Sequence, residues 1–279
     1  MKICLLIRVY NRIEDLQCNL EIIRRTWSKY DYYVLVVSNG VSSGFTLSSE
    51  IYQLSDEVVI LEENVGHLNG NSQLLLKGIQ EVDILEFDYI IILEADTWLY
   101  SDKLIDKYIK KLDESEAVWA SARWYDRFYS LATDFAIIKA DFLNKNLAIF
   151  NFETYPECYV CNYLIENGYS YIWIKENMNV QLPSYLKSFP YAPKGRYYSF
   201  PLSRMVTHHV EDVTGGMTKK KKDFNIVAQY NFFSDTCSDY MLFYQNCKLH
   251  FIHFIDKFLL RRSWYSKREI FDFSKSYNA

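Results

Sequence analysis

Residues 87–98 read FDYIIILEADTW. Positions 89–93 are apolar without a break, so this segment has no side that favours water. Five residues of that kind fit a strand covered on both faces, which requires a sheet with helices packed above and below it. Charge follows at once, as Glu94 and Asp96 separated by one alanine. Ligands of open α/β sheets gather beyond the carboxyl ends of the strands. Side chains two apart in extended chain point the same way, so both carboxylates can converge as hard oxygen ligands for Mg²⁺ or Mn²⁺. An isolated pair of this kind is an ordinary solvated strand end, and the other segments have to decide.

Those segments alternate between strand and helix patterns, as an α/β sheet requires. Residues 2–9 form a short apolar strand. Residues 13–27 carry Leu16, Leu20, Ile23 and Trp27 at helical spacing, and 32–37 is a second strand ending at Ser38, Asn39 and Gly40. A third strand at 57–61 precedes ENVGHLNGNSQLLLKGIQ, a glycine- and asparagine-rich turn entering a helix. The spacing predicts a helix at 102–112, strands at 117–122 and 136–138, and a helix at 157–166 closed by Asn167 and Gly168. Four prolines punctuate 183–201 as an irregular stretch. Beyond Phe224 the chain is dense in aromatics and carries Arg261, Arg262, Lys267 and Arg268. That segment reads as a helix packed on the main domain or lying at a membrane surface.

Composition narrows the function. With 279 residues and 49% of them hydrophobic, the chain can bury a core of its own. A net charge of -4 with interspersed signs excludes a general affinity for nucleic acid, and the local run of lysines 219–222 reads as a solvated loop. Five apolar residues between Lys2 and Arg8 are too few for a signal-peptide core, so the reading is cytoplasmic, with peripheral membrane contact left to the C-terminal segment. The six cysteines, including Cys158 and Cys161 in a C-x-x-C, read as reduced core thiols.

The ordered motifs resemble the family 2-like glycosyltransferases of the GT-A fold. Arg8, Val9, Tyr10, Asn11 and Arg12 match the end of that family's first strand, and Ser38, Asn39 and Gly40 its second. Asn64, Gly66, Gly70 and Asn71 match its glycine-rich turn, and Glu94, Ala95 and Asp96 its D-x-D. The resemblance implies a Rossmann-like mixed sheet flanked by helices, with an aromatic-rich helical C-terminal extension. It implies a catalytic domain over 1–222, with a nucleotide-binding half at 1–115 and an acceptor-side half at 116–222, followed by the extension at 223–279.

It further implies that Tyr10 lies against a nucleobase, Asn39 bonds the base edge, Asn71 and Glu94 contribute to nucleotide binding, and Asp96 ligates the metal. His208 or His209 completes the metal site, while Gly215, Gly216 and the lysines 219–222 form a mobile, phosphate-facing loop. Counting back from Gly168 puts Glu157 on the family's general base, with Glu153 as second choice. Trp124, Tyr125 and Asp126 offer an acceptor surface. The implied reaction is metal-assisted transfer of a sugar from a nucleotide-diphosphate sugar to a hydroxyl of a glycan or lipid-linked acceptor, with inversion. The alternative is a degenerate GT-A domain that binds glycans without catalysis.

Overall fold

The computed structural model describes residues 1–39, 46–63, 65–124, 129–180, 182–208, 210–234, 237–259 and 270–271, the last pair through the backbone. Its frame is a mixed sheet between two layers of helix. β1 (Lys2–Val9) pairs in parallel with β2 (Asp31–Ser38) on one side and β4 (Tyr89–Glu94) on the other. β3 (Glu57–Ile60) extends the β2 edge in parallel. Beyond β4 come β7 (Phe135–Lys139), antiparallel to it, then β6 (Trp119–Ser121), β8 (Tyr171–Trp173) and β11 (Ile270–Phe271).

Period-two alternation assigns the side chains to two cores. Ile3, Leu5 and Ile7 of β1 and Ile91 and Leu93 of β4 face α1 (Ile13–Thr26) and α4 (Lys103–Asp113), which contribute Leu16, Leu20, Ile105 and Ile109. Cys4, Leu6, Ile90 and Ile92 face α3 (His67–Glu81) and α6 (Pro156–Glu166), which contribute Leu75, Ile79, Val160 and Leu164. Gly78 sets the depth at which α3 rests on the sheet. A Cβ there would lie 2.6 Å from Val37 Cγ2 and 2.8 Å from Leu6 Cδ1.

Several short elements have no counterpart in the sequence reading. α2 (Ser49–Leu54) and α5 (Ala140–Lys145) are single-turn or two-turn helices. A second sheet joins β5 (Trp98–Leu99), β10 (Met205–Thr207) and β9 (Tyr198–Phe200), so the proline-rich stretch is not wholly irregular.

The lysines 219–222 also depart from expectation, because they belong to α7 (Gly216–Ala228) and not to a solvated loop. Lys220 is fully buried and donates to Asp15, while Lys219 pairs with Asp223 and Lys221 with Glu14. The C-terminal helix α8 spans Asp239–Phe254 and continues as a π turn over Ile255–Leu259. No helix among the described residues is long and apolar enough to cross a membrane. All six cysteines are free, and Cys4, Cys18 and Cys161 are buried.

Candidate active site

Buried β4 delivers Glu94 and Asp96 to the carboxyl end of the sheet. Helix α1 fixes the turn between them and β5. Asn19 is fully buried on α1, with Nδ2 at 3.3 Å from the Glu94 carbonyl, 3.2 Å from that of Ala95 and 2.9 Å from that of Thr97. One helical turn earlier, Asp15 accepts from Lys220 Nζ at 2.5 Å, and the same ammonium donates to the Asp96 carbonyl at 2.5 Å. Lys220 also lies 4.4 Å over the Trp98 ring. Two helices distant in sequence, α1 and α7, therefore hold one four-residue turn.

The small sheet brings His208 to this turn. Thr97 and Thr207 hydroxyls meet at 2.7 Å, and His208 follows with φ 69, a left-handed conformation uncommon for a side-chain-bearing residue. Its Nδ1 is 3.5 Å from Glu94 Oε2 and 3.9 Å from Asp96 Oδ1. Nε2 is 3.3 Å from Asp134 Oδ2, which also accepts from Thr207 Oγ1 at 3.2 Å. The indole of Trp124 meets the imidazole edge-on, with centroids 4.9 Å apart. Burial alone would depress His208, but the hydrogen bond to Asp134 and the charges of Asp134, Asp96 and Glu94 push it up to about 9.

Glu94, Asp96 and His208 each place one ligand atom within 4.8 Å of the others. Two carboxylate oxygens and an imidazole nitrogen suit Mn²⁺ or Mg²⁺. An imidazole with its second nitrogen facing a carboxylate has the outer-shell arrangement that metal-binding histidines use. His209 lies outside the described residues.

A cleft of about 310 Å³ opens beside the cluster, lined by Arg8, Tyr10, Arg12, Asn71, Glu94 and Asp96 among others. Tyr10 is exposed at its edge. Arg8 is buried, donating to Glu94 Oε1 at 2.6 Å and to the Thr133 carbonyl at 2.6 Å, and its Nη1 has no hydrogen-bond partner among the described residues. The same holds for Asn71 Oδ1 and for both polar atoms of the Asn39 amide, buried at the end of β2. Buried amides left this way are unusual in a folded chain and are suited to a bound polar ligand. Arg12 forks onto Glu211 with two nitrogens at 2.5 Å, tying the β1–α1 turn to the segment after His208. Gly40, Asn64, Tyr125 and Asp126 fall outside the described residues.

Glu157 stands in the first turn of α6, and its carbonyl accepts from Leu131 N at 2.9 Å. Burial raises its carboxyl above the ordinary range, its own backbone N–H opposes this, Glu94 and Asp134 raise it further, and His208 lowers it. Its charge is thus coupled to the residues around the metal-ligand cluster. Glu153 is exposed and lines a separate groove beside β3 and α3, with Glu63 and Gln73.

The motif order locates Asp96 and Glu94 but misses the role of Asp134, Asn19 and Lys220. Asp134 had one readable signal, a carboxylate just before the strand expected at 136–138. Asn19 and Lys220 had none, since Asn19 sits in an amphipathic helical pattern and Lys220 in a run of lysines that reads as a solvated loop.

No family model and no curated protein matches the chain. Among solved structures it is similar to the mannosyltransferase PcManGT from Pyrobaculum calidifontis in complex with GDP-Man and Mn²⁺, at 13% identity and a TM-score of 0.38. That match covers 51% of this chain and 46% of the other, so the chain spans less than half of that structure. A fold hosts many chemistries, and the side chains of the site have to decide among them.

Proposed function

We propose that the chain is a GT-A-type glycosyltransferase that moves a sugar from a nucleoside-diphosphate donor to a hydroxyl of a glycan or lipid-linked acceptor, with inversion and with Mn²⁺ or Mg²⁺. The observation that carries this reading is the convergence of Glu94, Asp96 and His208 at the carboxyl end of the sheet, beside a cleft lined by Tyr10 and Asn71. Asp96, His208 and Glu94 would hold the metal, which when bound offsets the negative charge of the diphosphate. Asp134 orients His208 through Nε2. Tyr10 offers an aromatic face to the base, and the amides of Asn39 and Asn71 offer both donors and acceptors to the nucleoside.

Glu157 is the general base. As the acceptor oxygen bonds to the anomeric carbon and the bond from that carbon to the diphosphate oxygen breaks, the hydroxyl proton passes to the Glu157 carboxylate. A carboxyl raised by burial is a better proton acceptor than a solvated one. On this reading the 1–115 half supplies Tyr10, Asn39, Asn71, Glu94 and Asp96 to the nucleotide and metal, and the 116–222 half supplies Glu157 to the acceptor and His208 to the metal.

The reading is tested by incubating the protein with a panel of nucleotide sugars and Mn²⁺ without acceptor and following release of nucleoside diphosphate. Slow, metal-dependent hydrolysis of a subset is the outcome expected of a working site. A protein that neither hydrolyses nor binds any of them has a different function.

A further inference from the structure

Helix α8 is apolar on two sides. Leu242, Leu249 and Ile252 are buried against the protein. On the other side Tyr240, Tyr244, Cys247, Phe251, Phe254 and Phe258 recur at alternating steps of four and three, and all are exposed, Tyr240 by 73% and Phe258 by 55%. Tyr240 and Tyr244 stack at 6.4 Å, and Phe254 and Phe258 lie 5.0 Å apart. A contiguous aromatic stripe of this kind marks a surface that meets something other than water.

The surroundings say what that is. Phe189, 6.1 Å from Phe251, lines an apolar groove with Tyr244 and Lys248. With Pro190 it also lines an adjoining cavity of about 420 Å³ that carries Lys187, Lys194 and Lys222. Along α8 and its π turn stand Lys248 and Lys257, with Asp239 at the first position of the helix and Asp256 buried. Residues 183–200 carry Lys187, Lys194 and Arg196 and no acid. Beside the stripe the described residues thus supply Lys187, Lys194, Lys222, Lys248 and Lys257, while the nearby Asp223 and Asp256 are buried, in a chain whose net charge is -4. A second copy is a poor occupant, because a two-fold interface over the stripe would bring together the lysines of both copies, Lys248 and Lys257 among them. Anionic phosphates beside an apolar layer complement both features.

We propose that this face docks the protein on an anionic phospholipid membrane, with the α8 stripe in the headgroup–acyl boundary and the surrounding lysines on the lipid phosphates. The helix lies in the plane of the surface, since it is not long and apolar enough to cross a membrane. The inference is independent of the reaction at Asp96.

The test is co-sedimentation of the whole protein with phosphatidylcholine vesicles with and without phosphatidylglycerol. Binding to the anionic vesicles, weakened by high salt, is the expected result. Exchanging Phe251, Phe254 and Phe258 together for serine should lower partitioning by at least about tenfold. Each of Lys187→Gln and Lys248→Gln should lower it about fivefold, with melting curves checking that every variant is folded. The Lys variants keep the test decisive if the triple variant does not fold. Failure of the wild type to bind anionic vesicles, or binding unchanged in the folded variants, overturns the proposal. A dimer in sedimentation equilibrium that the lysine or phenylalanine changes dissociate, without any vesicle binding, assigns the stripe to a second copy and also overturns it.

Discussion

At the scale of single residues, Glu157 and Glu153 stand four positions apart and differ in surroundings. Glu157 is held in the first turn of α6, raised by burial and coupled to Glu94 and Asp134. Glu153 is exposed on a different groove. Glu157→Gln keeps the size of the side chain but cannot accept a proton, so the turnover rate should fall by ~10²- to 10⁴-fold with nucleotide affinity retained. Glu153→Gln should leave both unchanged, and steady-state rates with parallel binding titrations distinguish the two. The end of α6 was legible because Gly168, with φ 72, closes it as a glycine after a helix should. The electrostatic link from Glu157 to His208 was not legible, since 51 residues separate them in the sequence.

At the scale of elements, the Glu94–Thr97 turn depends on α1 and α7 as much as on its own strand. Lys220 is the buried cation of that junction, facing Asp15, the Asp96 carbonyl and the Trp98 ring. Lys220→Met strands the Asp15 carboxylate in a buried site and should cost about 3–5 kcal/mol of unfolding free energy. Adding Asp15→Asn should recover part of the loss, which urea unfolding of the single and double variants measures. Four consecutive lysines conceal this role, because a helix can turn one of them inward while its neighbours pair at the surface. β5, β9 and β10 were equally hidden. Strands of two or three residues are too short to show a period, and the β5–β10 pair is flanked by the long-range contact of Thr97 with Thr207 and by Asn19 on the turn carbonyls.

At the scale of the whole molecule, the long strands and helices were readable because each buries one face at a regular spacing. Tyr89 and Ile91 face α1 and α4, while Ile90 and Ile92 face α3 and α6. The same scale carries a pH dependence through His253, which joins α8 to β9 by an Nε2 contact with the Ser199 carbonyl at 3.1 Å. Burial lowers this histidine to about 4, with the Ser199 bond opposing and His250 assisting. The unfolded chain takes up its proton near 6.5, so the stability gained by keeping His253 neutral is complete above that pH and is lost as the pH falls towards about 4. Urea midpoints should decline less steeply over that window in His253→Gln than in the wild type. Parallel lines for the two proteins would remove His253 as the source.

The claim on which the rest depends is that Asp96, with Glu94 and His208, holds a divalent metal for a nucleoside diphosphate. Calorimetric titration of nucleoside diphosphates into the wild type and Asp96→Asn, each with and without Mn²⁺, tests it directly. The wild type should bind a nucleoside diphosphate more tightly with Mn²⁺ than without it, and folded Asp96→Asn should bind it equally weakly in both conditions. Undiminished Mn²⁺-dependent binding by Asp96→Asn would contradict the account.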